Sequence, residues 1–362
     1  MSSTTLPGTE LNPGLDWPSE YPRFRPRRWM VNGHLQTILG NFLPRRDSLP
    51  APVQQLVEVS PAHGSQIASQ VLCECHWQPI SQRATSPTAI LLHGLEGSSH
   101  SQYVIGNANK LWLAGCNVVR MNMRNCGPGK DSDKLRRTPT LYHSGLSQDV
   151  DRVMQFFIEA EDLQSIALIG YSMGGNLVLK LAGDLGESAP PQLRSVVGVS
   201  PAVDLAASAD ALHEPQNRIY ERKFVRAMVK RFRQKAGIFP RAYDPQRAAH
   251  ITSLREFDER ITALYCGFRS ADDYYYRVAA ARVLPAIRIP ALIVHALDDP
   301  FVRLTAETRA AIITNPHITF LETEHGGHCA FLASPDREKN NEGYNDGYWA
   351  EHTALRFVLA HA

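Results

Sequence analysis

The sequence predicts an α/β fold with a mostly parallel central sheet, helices on both faces of the sheet and an inserted helical cap. Three observations support this prediction. Short, continuous apolar runs, typical of strands buried on both faces, alternate with segments of helical period. That alternation lapses once, between about residues 204 and 287, where the pattern is mostly helical. Finally, 362 residues are enough for one such core with an insertion.

The predicted elements follow the chain in a regular order. An antiparallel hairpin comes first, with a turn-like break at 62–65 between its strands, and a polar loop over 80–87 leads into the alternating part. The predicted strands are 56–59, 67–77, 88–92, 117–121, 166–169, 193–199, 291–294 and 318–321. The predicted helices outside the cap are 103–113, 146–160, one that starts near 176–181, 305–313 and 348–359.

This pattern divides the chain into three predicted parts. Residues 1–50 form an N-terminal arm and wrapping segment, because the beginning of the chain is rich in Pro, Ser, Thr and Gly. Residues 51–203 and 288–362 form the α/β core. Residues 204–287, which are rich in basic and aromatic side chains, form the helical cap.

A basic segment, Arg23 to Arg28 followed by Trp29, lies within the arm. Two interpretations of it stay open. The favoured one is a solvated surface with one anchoring tryptophan. The other is attraction to an anionic head group or a membrane surface.

Composition excludes several classes of protein. The chain is 43% hydrophobic and 20% charged, its net charge is +2, and no basic stripe is interleaved with aromatics, so a nucleic-acid partner is not expected. No secretory signal and no apolar run near 18 residues are found, which predicts a cytoplasmic protein without a transmembrane segment. The six cysteines show no paired framework, and Cys73, Cys75 and His76 lack a second half at zinc spacing. We therefore expect no metal.

The strongest chemical signal is the pentapeptide Gly170-Tyr171-Ser172-Met173-Gly174. This G-x-S-x-G pattern lies between a predicted strand and a predicted helix, which is the setting of a nucleophile elbow. The turn is so tight that side chains at Gly170 and Gly174 would collide where strand and helix approach each other. Ser172 is therefore the predicted nucleophile, presented at the positive end of a helix.

A serine nucleophile needs a base, and the base needs an orienting acid. In folds with this elbow the acid and then the histidine follow on loops after later strands. Asp298 and Asp299 come after the predicted strand 291–294, and Asp299, directly before Pro-Phe-Val, is favoured as the acid. His325 and His328 follow strand 318–321, and His328 is favoured as the base.

Two backbone amides are predicted to hold the oxyanion. One belongs to Met173, the residue after the nucleophile. The other belongs to Leu95, in the H-G-x sequence that directly follows the predicted strand 88–92. Together these residues predict a serine hydrolase that cleaves carboxylic esters through an acyl-enzyme.

These residues make the chain similar to the α/β-hydrolase superfamily over roughly residues 50 to 360. More narrowly, it resembles the YheT-like branch, which is related to the ABHD-type lipid hydrolases. The segments that carry this resemblance are 29–37, 93–99, 121–127, 170–176 and 325–328. The first of them contains a G-H-L-Q-T element that generic hydrolases lack. The resemblance implies an α/β-hydrolase fold, hydrolysis of esters with short or medium acyl chains, and no cofactor.

Two alternatives to a simple carboxylesterase stay open. A phospholipase or acyltransferase would act on lipid esters, and the basic, aromatic insertion together with the Arg23 to Arg28 cluster would suit peripheral contact with a membrane. A ligand-binding protein that keeps the pocket without the chemistry is less favoured, because the three catalytic residue types occur in the required order. The expected partner is a small-molecule or lipid ester substrate.

Overall fold

A single eight-stranded sheet organises the computed structural model, which describes residues 17–64, 66–334 and 346–362. The strand order is β1-β2-β4-β3-β5-β6-β7-β8. Strand β2 pairs antiparallel with β1 and β4, and every pairing from β4 to β8 is parallel. The strands are β1 Val53–Ser60, β2 Ser69–His76, β3 Thr88–Leu92, β4 Asn117–Met121, β5 Ile166–Tyr171, β6 Leu193–Val199, β7 Ala291–Ala296 and β8 Ile318–Thr323.

The helices of the described residues cover both faces of this sheet and fill the segment between β6 and β7. The α-helices are α1 Gly33–Phe42, α2 Ile80–Arg83, α3 Gln102–Leu113, α4 Asp131–Arg136, α5 Ser147–Glu161, α6 Met173–Leu185, α7 Leu205–His213, α8 Arg218–Ile238, α9 Leu254–Phe257, α10 Leu264–Cys266, α11 Ala271–Val278, α12 Ala306–Thr314 and α13 Trp349–Ala360. A π-helix, Asp258–Ala263, joins α9 to α10. Short 3-10 turns are Gly186–Ser188, Pro215–Asn217, Pro245–Ala248, Ala280–Arg282 and Leu284–Ala286.

The predicted fold class is confirmed, and all eight predicted strands occur within a few residues of their expected bounds. The prediction of a loop over 80–87 is wrong at its start, where α2 forms. Four helical residues are too few to show a hydrophobic period, so the pattern could not reveal this turn. Helix α1 was predicted only as a short apolar segment. Its N-terminus is capped by Asn32, whose side-chain oxygen accepts a hydrogen bond from the backbone amide of Leu35.

The alternation of side chains along the strands builds two apolar layers. On one face Ile90 and Leu168 pack in a cluster that includes residues of α5 and α6. On the other face Leu91 and Ile169 pack in a cluster that includes residues of α3 and α13. Because ligands of open parallel sheets bind beyond the carboxyl ends of the strands, the loops after β3, β5, β7 and β8 are expected to form the site.

The segment between β6 and β7 contains helices α7 to α11 and has an apolar cluster of its own, which includes Phe232, Tyr243, Phe257 and Ile261. The aromatic residues of this segment therefore serve partly as local core. The division of the chain into arm, core and cap stays a prediction. Residues 1–16 of the arm lie outside the described residues. Within the described part of the chain, no helix has both the length and the apolar composition needed to cross a bilayer.

Candidate active site

Ser172 lies between the end of β5 and the first residue of α6. Its backbone has φ 54° and ψ −117°, a conformation that costs free energy for a residue with a side chain. Its amide donates to the carbonyl of Val199 at 2.9 Å, which fastens the turn to β6. A Cβ on Gly170 would lie 2.1 Å from the carbonyl oxygen of Gly174, and one on Gly174 would lie 2.6 Å from that of His93. The predicted steric need for both glycines is confirmed.

Gly170→Ala should therefore destabilise the fold, by about 1–3 kcal/mol, because the added methyl group meets backbone atoms that cannot move aside. Urea unfolding measures the effect. The matched control is Gly237→Ala in α8, where a Cβ would meet no atom within 4 Å and alanine favours the helix. Equal unfolding midpoints for the two variants would contradict the steric argument.

Asp299 and His328 meet beyond the carboxyl ends of β7 and β8. Oδ2 of the buried Asp299 lies 2.8 Å from Nδ1 of His328. Its Oδ1 accepts hydrogen bonds from the amides of Phe301 and Val302, at 3.1 and 2.9 Å. The ring of Phe301 also lies against the imidazole, with the centroids 4.3 Å apart. The carboxylate is thus held in one orientation, and the imidazole is held by both the carboxylate and the Phe301 ring.

The electrostatics of this pair suit a base and its orienting acid. Burial alone would raise the pKa of Asp299, but His328, together with His295 and the hydrogen bond from the Val302 amide, lowers it below the usual aspartate value. Burial disfavours the imidazolium of His328, while the neighbouring Cys329 thiol and the Asp299 carboxylate favour it, and the net effect raises the pKa of His328. With Nδ1–H donated to Asp299, Nε2 is the nitrogen that can accept a proton.

The rival residues form a second, more exposed pair. Asp298 Oδ2 lies 3.4 Å from His325 Nδ1, and Asp298 Oδ1 accepts a hydrogen bond from the amide of Gly327 at 2.8 Å. This pair braces the loop between β8 and His328. Ser172 and His328 line the same cavity, so the geometry favours His328 over His325 as the partner of the serine.

Helix α1 supports the histidine loop, a role that the sequence did not reveal. The hydroxyl of Thr37 accepts a hydrogen bond from the amide of His328 at 2.8 Å and donates one to the carbonyl of Gly33 at 2.7 Å. A Cβ on Gly33 would lie 1.8 Å from the carbonyl oxygen of Asp298. The side chain of Gln36 accepts from the amide of Leu332 at 2.8 Å. The G-H-L-Q-T element thus lies against both loops that carry Asp299 and His328.

Thr37→Val should lower kcat for ester hydrolysis by about tenfold, while KM changes less, because the lost hydroxyl leaves the His328 amide without its acceptor. Thr37→Ser keeps the hydroxyl and should recover most of the rate. Steady-state kinetics on a soluble p-nitrophenyl ester measures both variants. A serine variant as slow as the valine variant would argue against a positioning role for the hydroxyl.

The loop after β3 approaches Ser172 closely. A Cβ on Gly94 would lie 3.1 Å from Cβ of Ser172. Among the described residues, the amides of Leu95 and Met173 have no hydrogen-bond acceptor, as expected for donors that await an oxyanion. His93 is buried and its pKa is lowered to about 4, mainly by burial. Its Nε2 accepts from the amide of Met123 at 3.2 Å, so this neutral histidine joins the loops after β3 and β4.

Two cavities share Ser172 and Leu95. The smaller, of about 100 Å³, is mostly apolar and extends among the helices between β6 and β7. The larger, of about 620 Å³, contains His328 and several polar side chains. Phe224 and Phe301 line both and lie where the two spaces meet. A molecule bound at Ser172 could therefore extend into both cavities.

Comparison with known proteins identifies the family. Residues 87–335 match the family model described as the alpha/beta hydrolase fold. YheT of Escherichia coli (strain K12), named for a proposed esterase activity, is 30% identical over 318 residues, which are 87% of this chain and 88% of YheT. Phospholipase ABHD3 of Mus musculus is 28% identical over 85% of this chain and 73% of its own length.

A solved structure gives the same fold. The crystal structure of the 2,6-dihydroxy-pseudo-oxynicotine hydrolase is 15% identical, covers 90% of this chain and 72% of its own length, and superposes with a TM-score of 0.52. At this identity the likeness concerns the fold alone. Three findings point to the same family: the match over residues 87–335, the YheT relative and the parallel sheet with its nucleophile elbow. The chain belongs to the α/β-hydrolase family, in the YheT-like branch that is related to the ABHD-type hydrolases.

Proposed function

We propose that this protein is a serine esterase that hydrolyses carboxylic esters through an acyl-enzyme, with Ser172, Asp299 and His328 as its catalytic triad. The observation that carries the proposal is the 2.8 Å contact between Asp299 and His328, together with the cavity that His328 shares with the strained Ser172. The family membership supports hydrolase chemistry, and the name of the YheT relative points to an esterase.

The chemistry follows from these positions. His328 Nε2 takes the proton of Ser172 as the hydroxyl oxygen attacks the ester carbonyl. The amides of Leu95 and Met173 donate to the oxyanion that forms. His328 then gives the proton to the departing alkoxide, which leaves as the alcohol. A water, deprotonated by His328, attacks the acyl-enzyme, and the collapse of the second intermediate releases the acid and restores Ser172. Asp299 stabilises the imidazolium at both stages.

The two cavities suggest how the ester is oriented. The smaller, apolar cavity suits the acyl chain, because burial of methylene groups there is favourable. The larger cavity suits the alcohol, since His34, Glu96 and Lys223 line it and can face polar groups. An activity screen across p-nitrophenyl esters of increasing acyl length tests the assignment of the acyl chain to the smaller cavity. Mass spectrometry of the fluorophosphonate adduct tests Ser172 as the nucleophile. Absence of the adduct from the peptide that contains Ser172 would contradict the assignment.

A buried carboxylate in the acyl cavity leads to a specific pH dependence. Asp258 lines that cavity and accepts hydrogen bonds from Thr262 and Tyr275, at 2.7 and 2.8 Å. Burial raises the pKa of Asp258 to about 6. Below this pH the group is neutral, and above it the carboxylate charge opposes an aliphatic chain end.

The rate for p-nitrophenyl decanoate relative to the butanoate should therefore fall about fivefold as the pH rises through 6, which corresponds to ~1 kcal/mol. The ratio cancels the ionisation of His328, because both substrates need the same base. Asp258→Asn should make the ratio independent of pH. A ratio that still falls in this variant would assign the effect to another group.

A second candidate function is hydrolysis or acyl transfer on a phospholipid. The observation that favours it is Lys223, a cationic residue that lines the large cavity assigned to the alcohol, where it could meet a phosphate. The ABHD3 relative is named a phospholipase. Release of fatty acid from phosphatidylcholine or phosphatidylglycerol, lost in Ser172→Ala, would support it. Activity confined to soluble short esters would exclude it.

A further inference from the structure

Helix α1 has its apolar side chains on the wrong face for a helix of a soluble protein. Its buried residues are Gly33, Gln36, Thr37 and Gly40, which are polar or small. The large apolar residues Leu35, Ile38 and Phe42 are exposed, and Phe42 retains 72% of its accessible surface. These three recur at helical spacing and form one stripe. The buried face is occupied by contacts with the histidine loop, so the stripe is left without a partner within the described structure.

We define an apolar rim as this stripe together with Trp29 and Val31, which directly precede α1 in the chain, and Ile219. Its members are Trp29, Val31, Leu35, Ile38, Phe42 and Ile219. Trp29 and Ile219 are each 79% exposed. Ile38, Phe42 and Ile219 also line the large cavity that contains Ser172. Isolated exposed apolar residues are common, but a contiguous group beside a cavity marks an interaction surface.

Cationic side chains on the first half of α8 adjoin this rim. Lys223 Nζ lies 5.9 Å from the centre of the Phe42 ring, which places this cation of α8 next to the exposed stripe of α1. The exposed residues Arg222, Lys223 and Arg226 make no ion pair with any described carboxylate. Glu221, the acid in that part of α8, is buried and pairs with His213 instead. Arg28 stacks on Trp29, a residue of the rim.

We propose that the apolar rim docks on an anionic phospholipid bilayer, with the mouth of the Ser172 cavity facing the lipid. Apolar side chains that enter the boundary of the bilayer, flanked by basic residues that meet anionic head groups, are the features of interfacial binding. A second copy of the chain fits less well, because it would bring the unpaired cations of two α8 helices together. The proposal rests on the proposed function only in assigning the bound ester to the bilayer, since docking itself does not need Ser172.

Flotation of the full chain with phosphatidylcholine vesicles, with and without phosphatidylglycerol, tests the docking. The Ser172→Ala background prevents hydrolysis during the measurement, so this result is independent of the esterase assignment. We expect the protein to float with the anionic vesicles and to remain largely unbound with the neutral ones. Lys223→Glu should weaken binding to the anionic vesicles by about fivefold or more, and added salt should have the same direction of effect.

Trp29→Ser combined with Phe42→Ser should weaken anionic vesicle binding by about tenfold or more. The matched control replaces Ile80 and Leu113 by serine, because both are exposed apolar residues outside the rim. Thermal unfolding checks that each variant is folded. Equal flotation of the rim and control variants, equal binding to neutral and anionic vesicles, or a dimer in light scattering that only the rim variant dissociates would each overturn the proposal.

Discussion

Ser172→Ala is expected to lower kcat for p-nitrophenyl ester hydrolysis by about 10³-fold or more, with little change in unfolding temperature. The substitution removes only the hydroxyl group, and the acyl-enzyme cannot form without it. Stability should be retained because the strained turn is held by the backbone amide of Ser172, which bonds to Val199, and by the close approach at Gly170. Any remaining rate would come from the oxyanion donors and substrate binding.

Steady-state kinetics measures the rate, fluorophosphonate labelling measures the reactivity of the serine, and calorimetry measures the unfolding temperature, all on the same preparations. The control is Ser132→Ala, whose side chain is exposed and whose hydroxyl donates a hydrogen bond to the neighbouring Asp133. We expect the control to keep the wild-type rate and label, and Ser172→Ala to lose both. Equal turnover in the two variants would remove Ser172 from the mechanism.

Asp299→Asn should lower kcat by about 10³-fold or more while KM stays similar. An asparagine amide would donate to His328 Nδ1 and would place the ring proton on Nε2. That nitrogen could then no longer accept the proton of Ser172. Asp298→Asn is the matched control, because its amide oxygen can still accept the Gly327 hydrogen bond. We expect it to lose only a small factor in rate.

The pH profile gives an independent readout of the same pair. As a general base His328 works only when neutral, so kcat/KM should rise with pH around the pKa of His328. That pKa is raised, with Asp299 among the groups that favour the imidazolium, so the rise should lie above the pH of an ordinary histidine. Asp299→Asn should move the residual profile to lower pH, because the carboxylate that favours the imidazolium is gone. An unshifted profile would mean that another group titrates.

The nucleophile region could be predicted in detail because the interactions that determine its structure lie within a short segment of the chain. The apolar run before Gly170 specifies a buried strand, the glycines permit the close approach, and the helix follows within the same few residues. The positions of Asp299 and His328 are nearly as local, since each follows a strand whose carboxyl end must face the same edge of the sheet. Their mutual contact at 2.8 Å was an expectation that the geometry supports.

The role of α1 could not be predicted from its pattern. Hydrophobic periodicity assumes that the apolar face is buried, and here Gln36 and Thr37 are buried instead. Their partners, the amides of Leu332 and His328, lie almost three hundred residues away in the chain. Hydrogen bonds over such a distance depend on the complete sheet. The same holds for Asp258, which could be recognised as lining the smaller cavity beside Ser172 only once the helices between β6 and β7 were in place.

The sequence by itself determined the fold class, the strand order along the chain and the candidate catalytic residues, because strand burial, turn sterics and the order of the motifs are properties of short segments. The tertiary structure decided which aspartate contacts which histidine, how two cavities meet at Ser172, and that α1 supports His328 with one face and leaves an apolar face exposed near the cations of α8. Those outcomes depend on distances between segments remote in sequence. Such distances are set by the packing of the whole sheet and its helices.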